Sequence, residues 1–303
     1  MARETPPSDA DHQPSEGTAP GDRSLTVPDK PPPELMYRRR LRLVHSIRNS
    51  WHHRELLRSL TERQLRSRYK QATLGFVWAL AAPVSLLLVF VVFADRVADI
   101  DTGGVPYSLF AFTGLLAWTF FSSAVNGASQ SLLSNTSLLN KTACPRELFP
   151  LSTVIVAGVD TALTSIVLVA LFVATQTVPD PTTVYVPLLV LVQIVLTVGV
   201  SFLISIVVVF WRDIRHALPL FLQVGLLVTP VAYGFDVVPV DLRWVYSIVN
   251  PLGPLIDGYR RTMFQNEAPQ WQYLGLATLS SCVILVFGFW LLKRLEGGIV
   301  DVT

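Results

Sequence analysis

The sequence predicts an all-α integral membrane protein with six transmembrane helices. Hydrophobic residues make up 51% of the 303 positions and charged residues only 15%, against about 25% charged residues in an average soluble domain. The charges are also concentrated at the start of the chain, because residues 1–71 hold 14 of the 24 Lys and Arg and 9 of the 22 Asp and Glu. The remainder is too apolar for an ordinary soluble enzyme or for a disordered protein.

Six apolar runs are long enough to cross a bilayer, since a hydrocarbon core of about 30 Å needs about 20 helical residues. The one formal charge within them is Asp160. Backbone groups in lipid must bond internally, and the runs lack the alternation of barrel strands, so we expect helices. The runs lie in a predicted transmembrane domain, 72–303. They are 76–94, 108–127, 151–175, 184–210, 217–234 and 274–292.

The positive charges predict the orientation of these spans. With six spans both termini lie on one side, and the segments near the spans carry 12 Lys and Arg on that side against 4 on the other. Lys and Arg are enriched in cytoplasmic loops. We therefore expect a multi-pass protein with both termini in the cytoplasm.

The polar N-terminal part divides into two predicted segments. Residues 1–33, rich in Pro, Ser, Asp and Gly, predict a disordered cytoplasmic tail. Residues 34–71 are basic, and Val44, Ile47 and Trp51 recur there at helical spacing. This pattern predicts an amphipathic helix in the headgroup layer, and a solvated basic stretch is the alternative.

Two shorter patterns predict helices outside the six runs. Thr61 and Gln64 stand at the spacing of a capping box, so a short helix is expected to begin at Thr61. Between the fifth and sixth runs, four prolines exclude one long helix. Leu255, Tyr259 and Met263 repeat there at every fourth position. This repeat predicts a short interfacial or re-entrant helix, covered by protein or by a cavity.

Motifs for catalysis and metal binding are absent from the sequence. It contains no G-x-x-x-x-G-K-[ST] phosphate-binding loop, no H-E-x-x-H zinc motif and no G-x-S-x-G nucleophile motif. None of the five histidines stands at metal-ligand spacing from a Cys or another His. We expect no cofactor or metal on this chain, and no nucleic-acid partner.

Three features are candidates for function. Asp160 is either a polar group in a substrate path or a structural residue paired with Thr161, Thr164 or a neighbouring helix. The polar segment 128–150 is long for a simple connection, which favours a contact surface over a plain loop. An aromatic stripe in the second span, with one tyrosine near the outer end of the fifth, is either packing or a wall for sugar rings. Its residues are Phe110, Trp118, Phe121 and Tyr233.

A series of short motifs occurs in a characteristic order along the chain. The first is R-Y-K-Q-A-T-L-G-F-V-W at 68–78. The others are Pro83, Pro106-Tyr107, Gly114-Leu115 with Trp118, 135–141, Pro145-Arg146-Glu147 with Pro150, Arg212-Asp213-Ile214, Thr229-Pro230 with Tyr233, Asn250-Pro251-Leu252 and Arg260. Over about 50–303 this ordered set resembles the membrane subunits of polysaccharide ABC exporters, the ABC-2 type permeases. The chain departs from the family at Ala72-Thr73 and at Cys144, where Phe is usual.

The resemblance implies the channel-forming subunit of an ATP-driven exporter of a lipid-linked glycan, such as an O-antigen or a teichoic acid, in the bacterial cytoplasmic membrane. Two copies of the chain would pair with two copies of a cytoplasmic ATPase, which would bind ATP and magnesium. The implied interface helix contains Val44, Ile47 and Trp51, and the implied external gate contains Asn250, Pro251, Tyr259 and Arg260. The implied ATPase-coupling residues are Ser134, Asn135, Leu138, Lys141, Arg146 and Glu147. The substrate-channel candidates are Phe110, Trp118, Phe121, Tyr233 and Asp160.

Two other functions compete with glycan export. A drug- or lipid-exporting ABC permease would share the six spans, but the motif at 68–78 and the Pro-Arg-Glu sequence favour the glycan branch. An integral-membrane acyl- or glycosyltransferase would need paired acids or a His–Asp set at the membrane surface. Asp95, Asp99 and Asp101 cluster in the sequence, but a solvated loop explains them more simply.

Overall fold

The described part of the chain folds into an all-helical bundle. The structure is a computed structural model, and it describes residues 53–69, 77–96, 102, 104–136, 138 and 144–296. All of them belong to one of the two units of the chain, Leu41–Thr303. The predicted tail, the interface residues Val44, Ile47 and Trp51, and Lys141 lie outside the described residues. The helices are α1 (Arg54–Tyr69), α2 (Val77–Arg96), α3 (Tyr107–Ser131), α4 (Leu148–Ala174), α5 (Val186–Phe210), α6 (Ile214–Val228), α7 (Arg243–Val249), α8 (Leu252–Phe264) and α9 (Trp271–Leu295).

Four helices in the described residues are long and apolar enough to cross a membrane. These are α3, α4, α5 together with the 3₁₀ turn before it, and α9. They coincide, in that order, with the second, third, fourth and sixth predicted runs. The first and fifth runs correspond to shorter apolar helices, Ala81–Val92 within α2 and Ile214–Val228. The prediction of an all-α, multi-pass membrane protein is confirmed, and the count of six spans stays a prediction.

The fifth predicted run, 217–234, is not one continuous helix. α6 ends at Val228, because Thr229 has extended backbone and Pro230 follows it. A proline disfavours the helical conformation in the residue before it and supplies no N–H of its own. With 15 residues, α6 is about 22 Å long. Residues 229–234, which we call the α6 turn, leave the helix axis.

α3 is the central helix of the bundle and packs against α2, α4, α5 and α8. Leu109, Phe112 and Leu115 on α3 are fully buried in the main hydrophobic core. α5 in turn packs closely against α9, where a Cβ atom on Gly288 would lie 2.6 Å from the carbonyl oxygen of Gly199. Only glycine at position 288 permits this approach of the two backbones.

α1 packs on one end of the bundle. A second hydrophobic cluster joins α1 to the ends of α3, α4 and α5 through Leu60, Leu132, Phe149 and Ile206. The helix begins at Arg54, and the Thr61 hydroxyl donates to the Leu57 carbonyl oxygen at 2.8 Å in its interior. The expectation that a helix starts at Thr61 is therefore wrong, because the turn before it is already helical.

The segment between α6 and α9 folds into short helices, as its prolines and its four-residue repeat predict. Two 3₁₀ turns, Phe235–Val237 and Val240–Leu242, precede α7 and α8. Pro251 occupies the N-cap position of α8 and Pro254 lies in its first turn, where a backbone N–H has no intrahelical partner. Leu255 and Tyr259 are buried, and α8 contacts both α3 and α5.

Candidate functional site

The described part of segment 128–150 is attached to α1 through Asn135. The Asn135 amide group donates to the Ser131 carbonyl oxygen at 2.7 Å, and its side-chain oxygen accepts a hydrogen bond from Arg63. Ser134 is exposed, and its hydroxyl donates to the Gln130 carbonyl oxygen at 2.8 Å. Leu138 is half-buried against the second hydrophobic cluster. Of the predicted coupling residues, Asn135 thus anchors the segment and Ser134 faces outwards.

The Pro-Arg-Glu sequence is fixed to the last turn of α9. The Nζ atom of Lys293 lies 2.6 Å from Oε2 of Glu147, and the side chains are only 10% and 2% exposed. Arg146 is half-buried, and Pro145 is buried. Because a charge pair taken out of water must stay together to be tolerated, this contact joins the start of α4 firmly to α9.

Asp160 is paired with the Arg-Tyr dipeptide of the first sequence motif. Its two carboxylate oxygens accept hydrogen bonds from Arg68 and from the Tyr69 hydroxyl at the end of α1. The Asp160 side chain is 16% exposed and that of Arg68 is 48% exposed. Burial and the hydrogen bond to Asp160 raise the pKa of Tyr69 to about 12. The acid is therefore bonded to a neighbouring helix, and its place in a substrate path stays a prediction.

The aromatic stripe of α3 lies largely inside the bundle. Phe110 and Trp118 are buried in the main core, and Phe121 is half-buried with its ring centroid 5.8 Å from that of Trp118. A Cβ atom on Gly225 of α6 would lie 2.8 Å from the Trp118 ring. Trp118 therefore fills the contact between α3 and α6, and contact of these rings with substrate stays a prediction.

Two of the sequence motifs, Thr229-Pro230 and Asn250-Pro251-Leu252, are joined by hydrogen bonds where α6 ends. The Asn250 amide group donates to Thr229 Oγ1 and to the Tyr246 hydroxyl, both at 2.9 Å. The Tyr233 and Tyr246 hydroxyls each donate to the Val228 carbonyl oxygen, at 2.7 and 2.9 Å. These bonds satisfy a carbonyl group that the end of α6 leaves without a helical donor.

Arg260 on α8 binds the same turn from the protein interior. Its guanidinium group donates to the carbonyl oxygens of Phe110, Pro230, Val231 and Tyr233 at 2.6–3.1 Å. The preceding residue, Tyr259, donates to Oε1 of Gln193 on α5 at 2.7 Å. The four predicted gate residues, Asn250, Pro251, Tyr259 and Arg260, thus lie on or beside one short helix that contacts α3, α5 and the α6 turn.

The family of the chain follows from a comparison with known proteins. The profile of the ABC-2 type transporter matches residues 55–264. This chain belongs to the ABC-2 type transporter family. It is accordingly a membrane subunit of a transport system, as the resemblance of its motifs implied. Within the described residues of this transporter, no group of three or more His, Cys, Asp and Glu side chains could hold a metal ion.

Several curated proteins are similar to this ABC-2 type transporter over most of their length. The O-antigen export system permease protein RfbA of Klebsiella pneumoniae is 29% identical over 245 residues, which cover 80% of this chain and 92% of the relative. The protein of the same name in Myxococcus xanthus is 27% identical, covering 80% and 93%. The polysialic acid transport protein KpsM of Escherichia coli is 23% identical, covering 73% and 87%.

Gln193 and Lys293 hold this transporter together, and neither was among the site residues predicted from the sequence. Gln193 bridges α5 to α3 and α8, because its amide group also donates to the Ala117 carbonyl oxygen at 2.8 Å. The sequence did contain a signal for Gln193, because a polar amide side chain within an apolar run is unusual. Lys293 had no comparable signal, since a basic residue at the end of a last span is expected from the orientation rule alone.

Proposed function

We propose that this ABC-2 type transporter is the channel-forming subunit of an ATP-driven exporter. It moves a lipid-linked cell-surface polysaccharide across the bacterial cytoplasmic membrane. The observation that carries the proposal is the similarity to RfbA and KpsM, which extends over 73–80% of the chain and 87–93% of those proteins. The names of these relatives concern O-antigen and polysialic acid, which are both polysaccharides.

The energy comes from a separate cytoplasmic ATPase, two copies of which bind ATP and magnesium. The absence of a phosphate-binding loop from the sequence supports this assignment. Segment 128–150 is the docking surface, with Ser134 exposed on it. Because Asn135 bonds to α1 and Glu147 bonds to α9, a displacement of this segment moves both helices. These contacts support a role of segment 128–150 in coupling ATP hydrolysis to movement of the helices.

The transport path lies between two copies of the chain. α6 supports this arrangement because only Leu218 of its residues is buried. Its opposite side exposes Leu220, Phe221, Val224 and Leu227. A second copy packed against this face would cover it and would place the α6 turns of the two copies near one another.

In this arrangement both termini lie in the cytoplasm, and α7 and α8 form the gate on the outer side. The distribution of Lys and Arg supports this orientation. Single cysteines at the exposed residues Asp241 and Asp213, in a chain lacking Cys144 and Cys282, test it. A membrane-impermeant maleimide should label position 241 in intact cells and position 213 only after lysis. The reverse pattern would refute the orientation.

Deletion of the gene in its own organism tests the function. We expect the surface polysaccharide to disappear and its lipid-linked form to accumulate inside the cell. The full chain should restore export, and it should fail to do so beside a catalytically inactive variant of the ATPase that co-purifies with it. Surface polysaccharide that is unchanged, together with new sensitivity to a drug, would support the drug-exporting alternative instead.

A further inference from the structure

Arg260 is a charged side chain in the interior of the protein. The residue is only 3% exposed. Its guanidinium carbon lies 3.5 Å from the centroid of the Phe110 ring. A buried charge is tolerated only when its donors are satisfied. The partners of Arg260 include three carbonyl groups of the α6 turn, at Pro230, Val231 and Tyr233.

These carbonyl groups need an external donor because of where α6 ends. The backbone after Val228 is not helical, so residues 230–233 have lost the regular bonding of a helix. Arg260 supplies the missing donors from α8 and bonds to the Phe110 carbonyl of α3 at the same time, at 3.1 Å. One side chain therefore fastens the turn to two helices of the core.

The atoms packed around the guanidinium group leave little room for a larger side chain nearby. A Cβ atom on Gly114 of α3 would lie 2.8 Å from Nη2 of Arg260 and 2.9 Å from the Val231 carbonyl oxygen. A lysine at position 260 would present one ammonium group in place of a planar fork, and it would not reach carbonyl groups on several sides. Position 114 and position 260 can thus be changed independently to disturb the same contact.

We propose that Arg260 is the positioning residue that keeps the outer end of the transport path closed between transport cycles. The inference rests on the proposed function, in which α8 is part of the outer gate and the α6 turns of the two copies lie near one another. α6 buries little of its own surface, so its position depends strongly on the contacts of this turn. Opening requires the α6 turn to move away from Arg260. The carbonyl groups of the turn then accept hydrogen bonds from water in place of the guanidinium group.

Leakage through the resting transporter tests this role without any substrate. The full chain and the ATPase that co-purifies with it are reconstituted without ATP into liposomes that contain trapped carboxyfluorescein. We expect the wild type to retain the dye. Arg260→Gln and Gly114→Ala should each raise the leak rate about tenfold or more, because charge-assisted hydrogen bonds of the closed state are lost. The double variant should leak little more than either single variant.

Two matched variants control for charge and for volume. Arg261→Gln removes the same charge from the next position of α8, where the partners are Asp257 and Glu267. Gly275→Ala adds a methyl group to α9 at a position where no atom beyond the adjacent residues and backbone of the helix lies within 4 Å of it. Both controls should retain the dye as the wild type does.

Several outcomes would overturn the proposal. Dye retention by Arg260→Gln equal to that of the wild type would show that the contact does not hold the closure. Leakage from Arg261→Gln and Gly275→Ala equal to that from Arg260→Gln and Gly114→Ala would also show that the Arg260 contact does not specifically hold the closure. If Arg260→Gln and Arg260→Lys both fail to yield folded protein, Arg260 holds the fold and not the gate. A wild type that is tight but exports no polysaccharide would refute the proposed function alone.

Discussion

The buried ion pair between Glu147 and Lys293 should contribute more to stability than any exposed charge on α9. Its atoms are 2.6 Å apart, and its side chains are 2% and 10% exposed. Lys293→Met removes the cation and leaves the Glu147 carboxylate buried beside an apolar side chain. The perturbation is thus the loss of a partner, and its cost is that of an uncompensated charge.

The burial of both groups decides the magnitude. Removal of one member of a buried pair typically costs about 3–5 kcal/mol, whereas an exposed pair contributes about 0–1 kcal/mol. For a chain of 303 residues, each kcal/mol of lost stability lowers Tm by about 2 °C. We therefore expect Lys293→Met to lower Tm by roughly 6–10 °C. Glu147→Gln should lower Tm by less, because Lys293 keeps Glu296 at 3.7 Å as a second carboxylate partner. The double variant should lose much less than the sum of the two, because neither charge is left alone.

The assay is thermal unfolding of the purified full chain in detergent, followed by tryptophan fluorescence at one fixed scan rate. Arg294→Met is the control, since Arg294 lies one position further along α9, is exposed and stacks on Trp290 at 4.9 Å. Its Tm should change by about 1 °C or less. A Tm for Lys293→Met within about 2 °C of that of the wild type, or strictly additive Tm changes in the double variant, would refute the reasoning.

Three further predictions follow from the contacts of α1, α3 and segment 128–150. Asp160→Asn and Arg68→Gln should be coupled by only about 0.5–1 kcal/mol in a double-mutant cycle, since the arginine is half exposed, and additive Tm changes would contradict the pairing. Gly225→Ala should lower the yield of folded protein, because its Cβ would meet the Trp118 ring at 2.8 Å, and Trp118→Ala in the same chain should relieve that clash. Equal yields with and without the tryptophan would argue against this packing. Ser134→Cys should form a crosslink to the co-purifying ATPase with a short bifunctional reagent, and the absence of an adduct in an exporting complex would contradict docking at this residue.

The sequence by itself determined the class of the protein and the approximate positions of its helices. Apolarity over about 20 residues is a local property, so the runs that became α3, α4, α5 and α9 were predictable without knowledge of their neighbours. Prolines act on the residues beside them, and they correctly predicted that the segment before α9 breaks into short helices. The order of short motifs was enough to indicate the family that the profile match confirms.

The tertiary structure decided how the polar residues are used. Asp160 could be recognised as an unusual residue, but its partners Arg68 and Tyr69 lie more than 90 positions earlier in the chain. Glu147 and Lys293 are separated by 146 positions, and Arg260 binds a carbonyl group 150 positions away. Such contacts depend on which helices pack together, and the packing is set by the shapes of many apolar side chains at once. A hydropathy pattern records that a residue is polar, whereas only the packed bundle determines which group satisfies it.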